Sequence, residues 1–116
     1  MKFLCMVFLD EQNMKAMSEA ERHELDRRSQ AYDRELKAQG HFIAAEALQS
    51  TSTAASIRFT DGSPSVTDGP FIETNEYICG FILIEAQSRD EAIEIAKKIP
   101  VARFGGVEVR PVLSFS

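Results

Sequence analysis

The apolar positions of this chain fall into short runs separated by longer polar stretches. Lys2–Leu9 is almost continuously apolar, the pattern of a strand covered on both faces. Asp10–Met17 is polar and reads as a connection. Ser18-Glu19-Ala20-Glu21 sets a serine three residues before a glutamate, the reciprocal cap of a helix start. The helix runs to about Gln39, and Gly40 is its stop. Its inward stripe is Leu25, Ser29, Tyr32 and Leu36, and Glu24–Arg28 and Asp33–Lys37 are i,i+4 pairs on the solvent side. The stripe is polar for a core face. It suits either a helix packed loosely on a sheet or a helix that roofs a cleft.

His41–Leu48 is a second strand with weak alternation, and Gln49–Ala55 is a polar bridge of small residues. Ser56–Thr60 and Ser65–Thr67 flank the turn signal Asp61-Gly62-Ser63-Pro64 and predict a hairpin. Glu76–Ala86 is the strongest strand. Strict alternation puts Tyr77, Cys79, Phe81 and Leu83 on one face and Ile78, Ile82 and Ile84 on the other. Ser88-Arg89-Asp90-Glu91 caps a second helix that carries Ala92, Ile93, Ala96 and Ile99 and closes at Pro100. Val107–Leu113 is the last strand, with Pro111 near its end or on an edge. The order is βαββαβ with an inserted hairpin, a ferredoxin-like α+β fold. Such a sheet holds both helices on one face. The strong strand is apolar on both faces, so a second copy of the same sheet is the simplest cover for the other.

Composition narrows the function classes. A hydrophobic fraction of 44% over residues 1–116 suits one globular domain. A net charge of −5, with no Lys/Arg run, argues against a nucleic-acid partner. No apolar run approaches the roughly 20 residues of a membrane span. Phe3–Leu9 lacks the flanks of a signal peptide, so a cytoplasmic protein is expected. Cys5 and Cys79 lie in strand-like runs and read as buried thiols. His23 and His41 stand at no recognised metal-ligand spacing, and no metal or cofactor is expected.

The candidate chemistry sits on charged groups at strand ends. Asp68 and Glu73, five positions apart, flank the restricted passage Gly69-Pro70-Phe71. If they converge they form a carboxylate pair able to share a proton or to hold an oxygen-liking metal. Proline pushes Gly69 toward extended geometry, and Phe71 is expected as a buried anchor. Arg110 shares a strand face with Glu108; it is either half of an edge ion pair or the holder of an anionic ligand. Ser29, Tyr32, His41 and Glu46 are candidate ligand-binding groups, and His23 reads as a surface residue. Asp68 has an alternative role as a turn aspartate bonded to its own loop.

The Thr67-Asp68-Gly69-Pro70-Phe71 motif with Glu73 close behind, the opening KFLCMVF and the closing VEVRPV resemble the DGPF-type branch of the YCII-related proteins, over nearly the whole chain. The resemblance implies a dimeric α+β barrel. It also implies an acid–base dyad of a histidine on the first helix and an aspartate near that helix's end. Anchored on Gly40, those places hold Ser29 and Ala38, so the dyad is not carried by this chain. The expectation is a homodimer that binds a small polar organic ligand in a helix–sheet cleft. Lyase- or isomerase-like chemistry would then rest on Asp68 as base or orienting group, Glu73 beside it and Arg110 as anion holder. The alternative is a non-catalytic ligand-sensing or accessory module.

Overall fold

The computed structural model describes residues 1–115. β1 (Lys2–Asp10) and β5 (Glu76–Glu85) form the centre of a four-stranded antiparallel sheet, with β2 (Phe42–Ala47) and β6 (Gly105–Pro111) on its edges in the order β2-β5-β1-β6. That is the ferredoxin-like order, with a separate two-stranded ribbon of β3 (Ala55–Thr60) and β4 (Ser63–Asp68) inserted between β2 and β5. Two helices, α2 (Glu19–Ala38) and α3 (Arg89–Lys97), cover one face. The core lies beneath them, where Phe3, Cys5, Val7, Ile82 and Ile84 of the sheet meet Tyr32, Leu36, Ala92, Ile95 and Ala96. Ile95 therefore belongs to the stripe of α3 in place of the expected Ile93, which is half-buried.

The caps behave as their chemistry requires, with one variation. At α2, Ser18 Oγ accepts from the Glu21 amide while Glu21 accepts from the Ser18 amide. At α3, Ser88 accepts from the Glu91 amide, but the Glu91 carboxylate reaches one residue further back, to the Gln87 amide. The stretch expected to be a plain connection holds a short helix, α1 (Glu11–Ala16), capped by Asp10, whose carboxylate accepts from Gln12 and Asn13. Pro100 does not merely close α3. It opens a 3₁₀ turn over Pro100–Phe104, where its missing amide proton costs nothing.

Two backbone features correct the expected strand faces and turn. Val7 pairs with Gly80 but Phe8 pairs with Ile78, so Cys79 is an extra residue in β5. This β-bulge breaks the period of two, and beyond it Tyr77 joins the helix-covered face while Ile78 joins Phe81 and Leu83 on the open one. The hairpin turn is only Asp61-Gly62, with φ of 52° and 80°, because a two-residue loop with both φ positive matches the twist of the strands. Ser63 and Pro64 are already strand.

Candidate functional site

The polar stripe of α2 roofs a cleft over the sheet, with a volume of about 240 Å³. Asp26, Ser29 and Asp33, at i, i+3 and i+7, line it from the helix; Cys79, Gly80 and Ile82 line it from β5. Glycine at position 80 has a local cause. A Cβ there would stand 2.7 Å from the Glu46 carbonyl oxygen, so any side chain would force β2 away. The bulge at Cys79 turns the strand at this same point. Bulge and glycine together shape the floor.

Three polar groups of the cleft behave differently. The Tyr32 hydroxyl donates to the Ile95 carbonyl at 2.7 Å and ties α2 to α3; burial pushes its pKa up to about 12. It is occupied in structure. The Ser29 hydroxyl is buried and has no hydrogen-bond partner among the described residues. A serine in a helix usually bonds back to a carbonyl or points to water, and leaving a buried polar group unpaired costs about 1–3 kcal/mol. Asp33 was expected to pair with Lys37 in solvent. Instead Lys37 lies 4.7 Å from the centre of the Phe42 ring, and among the described residues no cation is within ion-pair distance of Asp33. Partial burial raises the Asp33 pKa, with Lys37 opposing the shift. The Cys79 thiol is also raised by burial, which makes it a poor nucleophile at neutral pH. Asp33 was legible in the sequence as a stripe neighbour of Ser29. Its i,i+4 spacing to Lys37 pointed the other way.

Of the remaining sequence candidates, Glu46 lines this cleft from β2, while Asp68, Glu73, Arg110 and His41 do not gather at it. Asp68 ends β4 and is exposed; the loop beyond it is held by the Gly69 amide donating to the Ala54 carbonyl at 2.7 Å and by the Ser56 hydroxyl donating to the Gly69 carbonyl. Gly69 adopts φ 109°, a left-handed value open to glycine rather than the extended geometry expected before proline. Phe71 is not a buried anchor. It is 54% exposed, and the Arg58 guanidinium covers one face of its ring at 3.8 Å. Glu73 is exposed beside a polar hollow with Thr51, Thr74 and Tyr77. Arg110 lies on the open sheet face, opposite Leu4, and its guanidinium Nε donates to Glu108 at 2.7 Å. Glu46, on the far edge strand, borders the cleft at its backbone beside Gly80, and its register opposite Phe81 assigns its side chain to that same open face. The His41 ring donates from Nδ1 to the Glu85 carbonyl at the other end of β2. Among the described residues no group of three or more His, Cys, Asp or Glu is placed to hold a metal ion.

A larger groove of about 440 Å³ lies between the first half of α2 and the end of α3 with the 3₁₀ turn, lined by Leu25, Arg28, Lys98 and Phe104. Several of its charges are already engaged. Arg27 and Arg28 both donate to Glu24 and hold its pKa down to about 2, and Lys97 pairs with Glu94. The smaller cleft holds the unpaired hydroxyl and the raised carboxyl, which makes it the better candidate.

The fold and the cleft define a small ferredoxin-like α+β protein with one helix lifted over its sheet. The chain belongs to the YCII-related family, whose domain matches it over residues 1–116. It is 34% identical over 114 residues to an uncharacterized protein of Rhizobium meliloti (strain 1021), R00369, covering 97% of this chain and 92% of that one. Among solved structures it shares its fold with TftG, the 5-chloro-2-hydroxyhydroquinone dehydrochlorinase of Burkholderia phenoliruptrix AC1100, in complex with 2,5-dihydroxybenzoquinone. The TM-score is 0.59 at 19% identity, over 97% of this chain and 94% of that chain. No described helix is long and apolar enough to cross a membrane.

Proposed function

We propose that this YCII-related protein is a cytoplasmic homodimer that takes a small polar organic molecule into the cleft beneath α2, with Asp33 as its acid–base group. The observation that carries the proposal is the buried, unpaired Ser29 hydroxyl beside a carboxyl of raised pKa. A ligand oxygen would satisfy the hydroxyl, and a carboxyl shifted toward neutrality is poised to exchange a proton. The volume lies just below the usual range of about 300–1,000 Å³ for ligand pockets, which favours a molecule of about one ring. The quinone bound by the fold neighbour TftG is of that size and polarity, and supports lyase-like chemistry as the class to test. The free thiols Cys5 and Cys79 agree with a reducing compartment. Asp68, Glu73 and Arg110 lie outside the cleft of their own chain, so an acid–base role for them needs a second chain that carries them to it.

Ser29 in the histidine's place favours a second class, a non-catalytic ligand sensor. Thermal shift against 2,5-dihydroxybenzoquinone and a panel of small hydroxylated aromatics and hydroxy acids separates the outcomes. A native-state ligand raises the melting temperature by mass action. Ser29→Ala should raise the melting temperature of the free protein, by removing the unpaired hydroxyl, and shrink the shift given by the ligand. A ligand shift unchanged in both Ser29→Ala and Asp33→Asn removes the cleft from the proposal. Binding without turnover selects the sensor.

A further inference from the structure

The β3–β4 ribbon is two-faced. Ile57 pairs with Val66 and Phe59 with Pro64 on one side, while Ser56 with Thr67, Arg58 with Ser65 and Thr60 with Ser63 make the other side polar. The apolar side is bare: Ile57 is 56%, Phe59 73% and Val66 69% exposed. Among the described residues, the side-chain hydrogen bond that leaves the ribbon's outer half runs from Arg58 to the Phe71 carbonyl, on the polar side. An isolated two-stranded ribbon is marginal in water and needs a third layer against its apolar face. Its own chain does not supply one.

The whole molecule carries the same signature. A folded monomer of 13.0 kDa is expected to expose about 6,300 Å². This chain exposes 8368 Å², an excess of about 2,000 Å² against that scaling. Its radius of gyration is 16.0 Å, where a compact chain of this length has about 13 Å. An excess of that size on each of two chains matches an obligate homodimer, which buries about 2,000–5,000 Å² in total. The uncovered sheet face and the uncovered ribbon face are both supplied with a partner by a second copy of this chain.

We infer that the β3–β4 ribbon is a dimer arm: its Ile57, Phe59, Pro64 and Val66 face lies on the second copy, and twofold symmetry makes the two arms clasp reciprocally. This rests on the homodimer proposed above and adds a second, separable contact to the sheet-face one. In a mixture of isotope-labelled and unlabelled protein, isotope-filtered NOE spectra should show Ile57, Phe59 and Val66 protons close to protons of the other chain. Contacts confined to one chain, or an arm with no contacts at all, overturn the inference even where the protein is dimeric. The double variant Phe59→Ser, Val66→Ser should raise the dimer dissociation constant by about tenfold or more with an unchanged far-UV spectrum. A dissociation constant unchanged within error sinks the arm and leaves the sheet-face dimer standing. A native protein that stays monomeric as concentration rises sinks both.

Discussion

At the scale of single residues, burial decides what each polar group can do. Asp33 is partly buried and without an ion-pair partner, so its carboxylate form is penalised and its pKa rises above the ordinary 3.8. The sign follows from linkage: a carboxyl raised in the folded state binds protons more tightly there than in the unfolded chain. Its contribution to stability is therefore favourable below the unfolded value and lost as pH rises through the folded one. Asp33→Asn should raise the melting temperature at neutral pH, and the gain should vanish as the pH falls below the carboxylate range. A gain that persists unchanged at acid pH would mean that charge is not the cause. Phe71 makes the opposite point. With its ring half in solvent and one face under Arg58, Phe71→Ala should cost about 1 kcal/mol or less, the scale of an exposed cation–π contact. Leu36→Ala, at a side chain 1% exposed, should cost about 2–5 kcal/mol. Urea midpoints for the two variants compare them directly, and equal costs would refute the exposed placement of Phe71.

At the scale of elements, β5 shows how one inserted residue redistributes a strand. Phe81 stands opposite Met6 and Glu46 on the open face, and Ile82 stands opposite Cys5 and Ala45 under the helices. The same substitution in adjacent positions should therefore fail in different ways. Ile82→Glu buries an unpaired charge in the core and should abolish the cooperative unfolding transition. Phe81→Glu should leave the fold's circular dichroism intact and remove self-association, since an isologous interface meets the new charge twice. A folded, fully associated Phe81→Glu protein would exclude the open face as an interface. The open face has the anatomy of such an interface: Leu4, Met6, Phe8, Phe81 and Leu83 across the middle, with Glu46 on one edge and the Glu108–Arg110 pair on the other.

At the scale of the whole molecule, the extents of 47 × 46 × 18 Å describe a slab with an arm. One layer of helices and one sheet leave half of the sheet's apolar surface facing water, and at roughly 25 cal/mol per Å² that is a strong drive to associate. Light scattering at micromolar concentration should return twice the chain mass of 13.0 kDa. A mass that stays at one chain as concentration rises would rule out any site built from two chains.

The amino-acid sequence by itself determined the six strands, the two long helices and the fold class. Caps at Ser18 and Ser88, the stops at Gly40 and Pro100, and the runs of Lys2–Leu9 and Glu76–Ala86 are local signals, and each is answered by chemistry within a few residues. α1 escaped because its apolar content is too small to show a period; Asp10 at its N-cap was the available signal. The Leu25, Ser29, Tyr32 and Leu36 stripe was legible, as was its choice between loose packing and a roof. Only the tertiary structure chose the roof, because the cleft depends on Gly80 and the Cys79 bulge of a strand far away in sequence. It also separated Arg110 from Ser29 and Tyr32, on opposite faces of one sheet, kept Glu46 at the border of the cleft, and left Asp68 and Glu73 on the ribbon and loop. Local propensity is blind to these placements, since the face a strand residue occupies is set by its register against another strand, and one bulge reverses it.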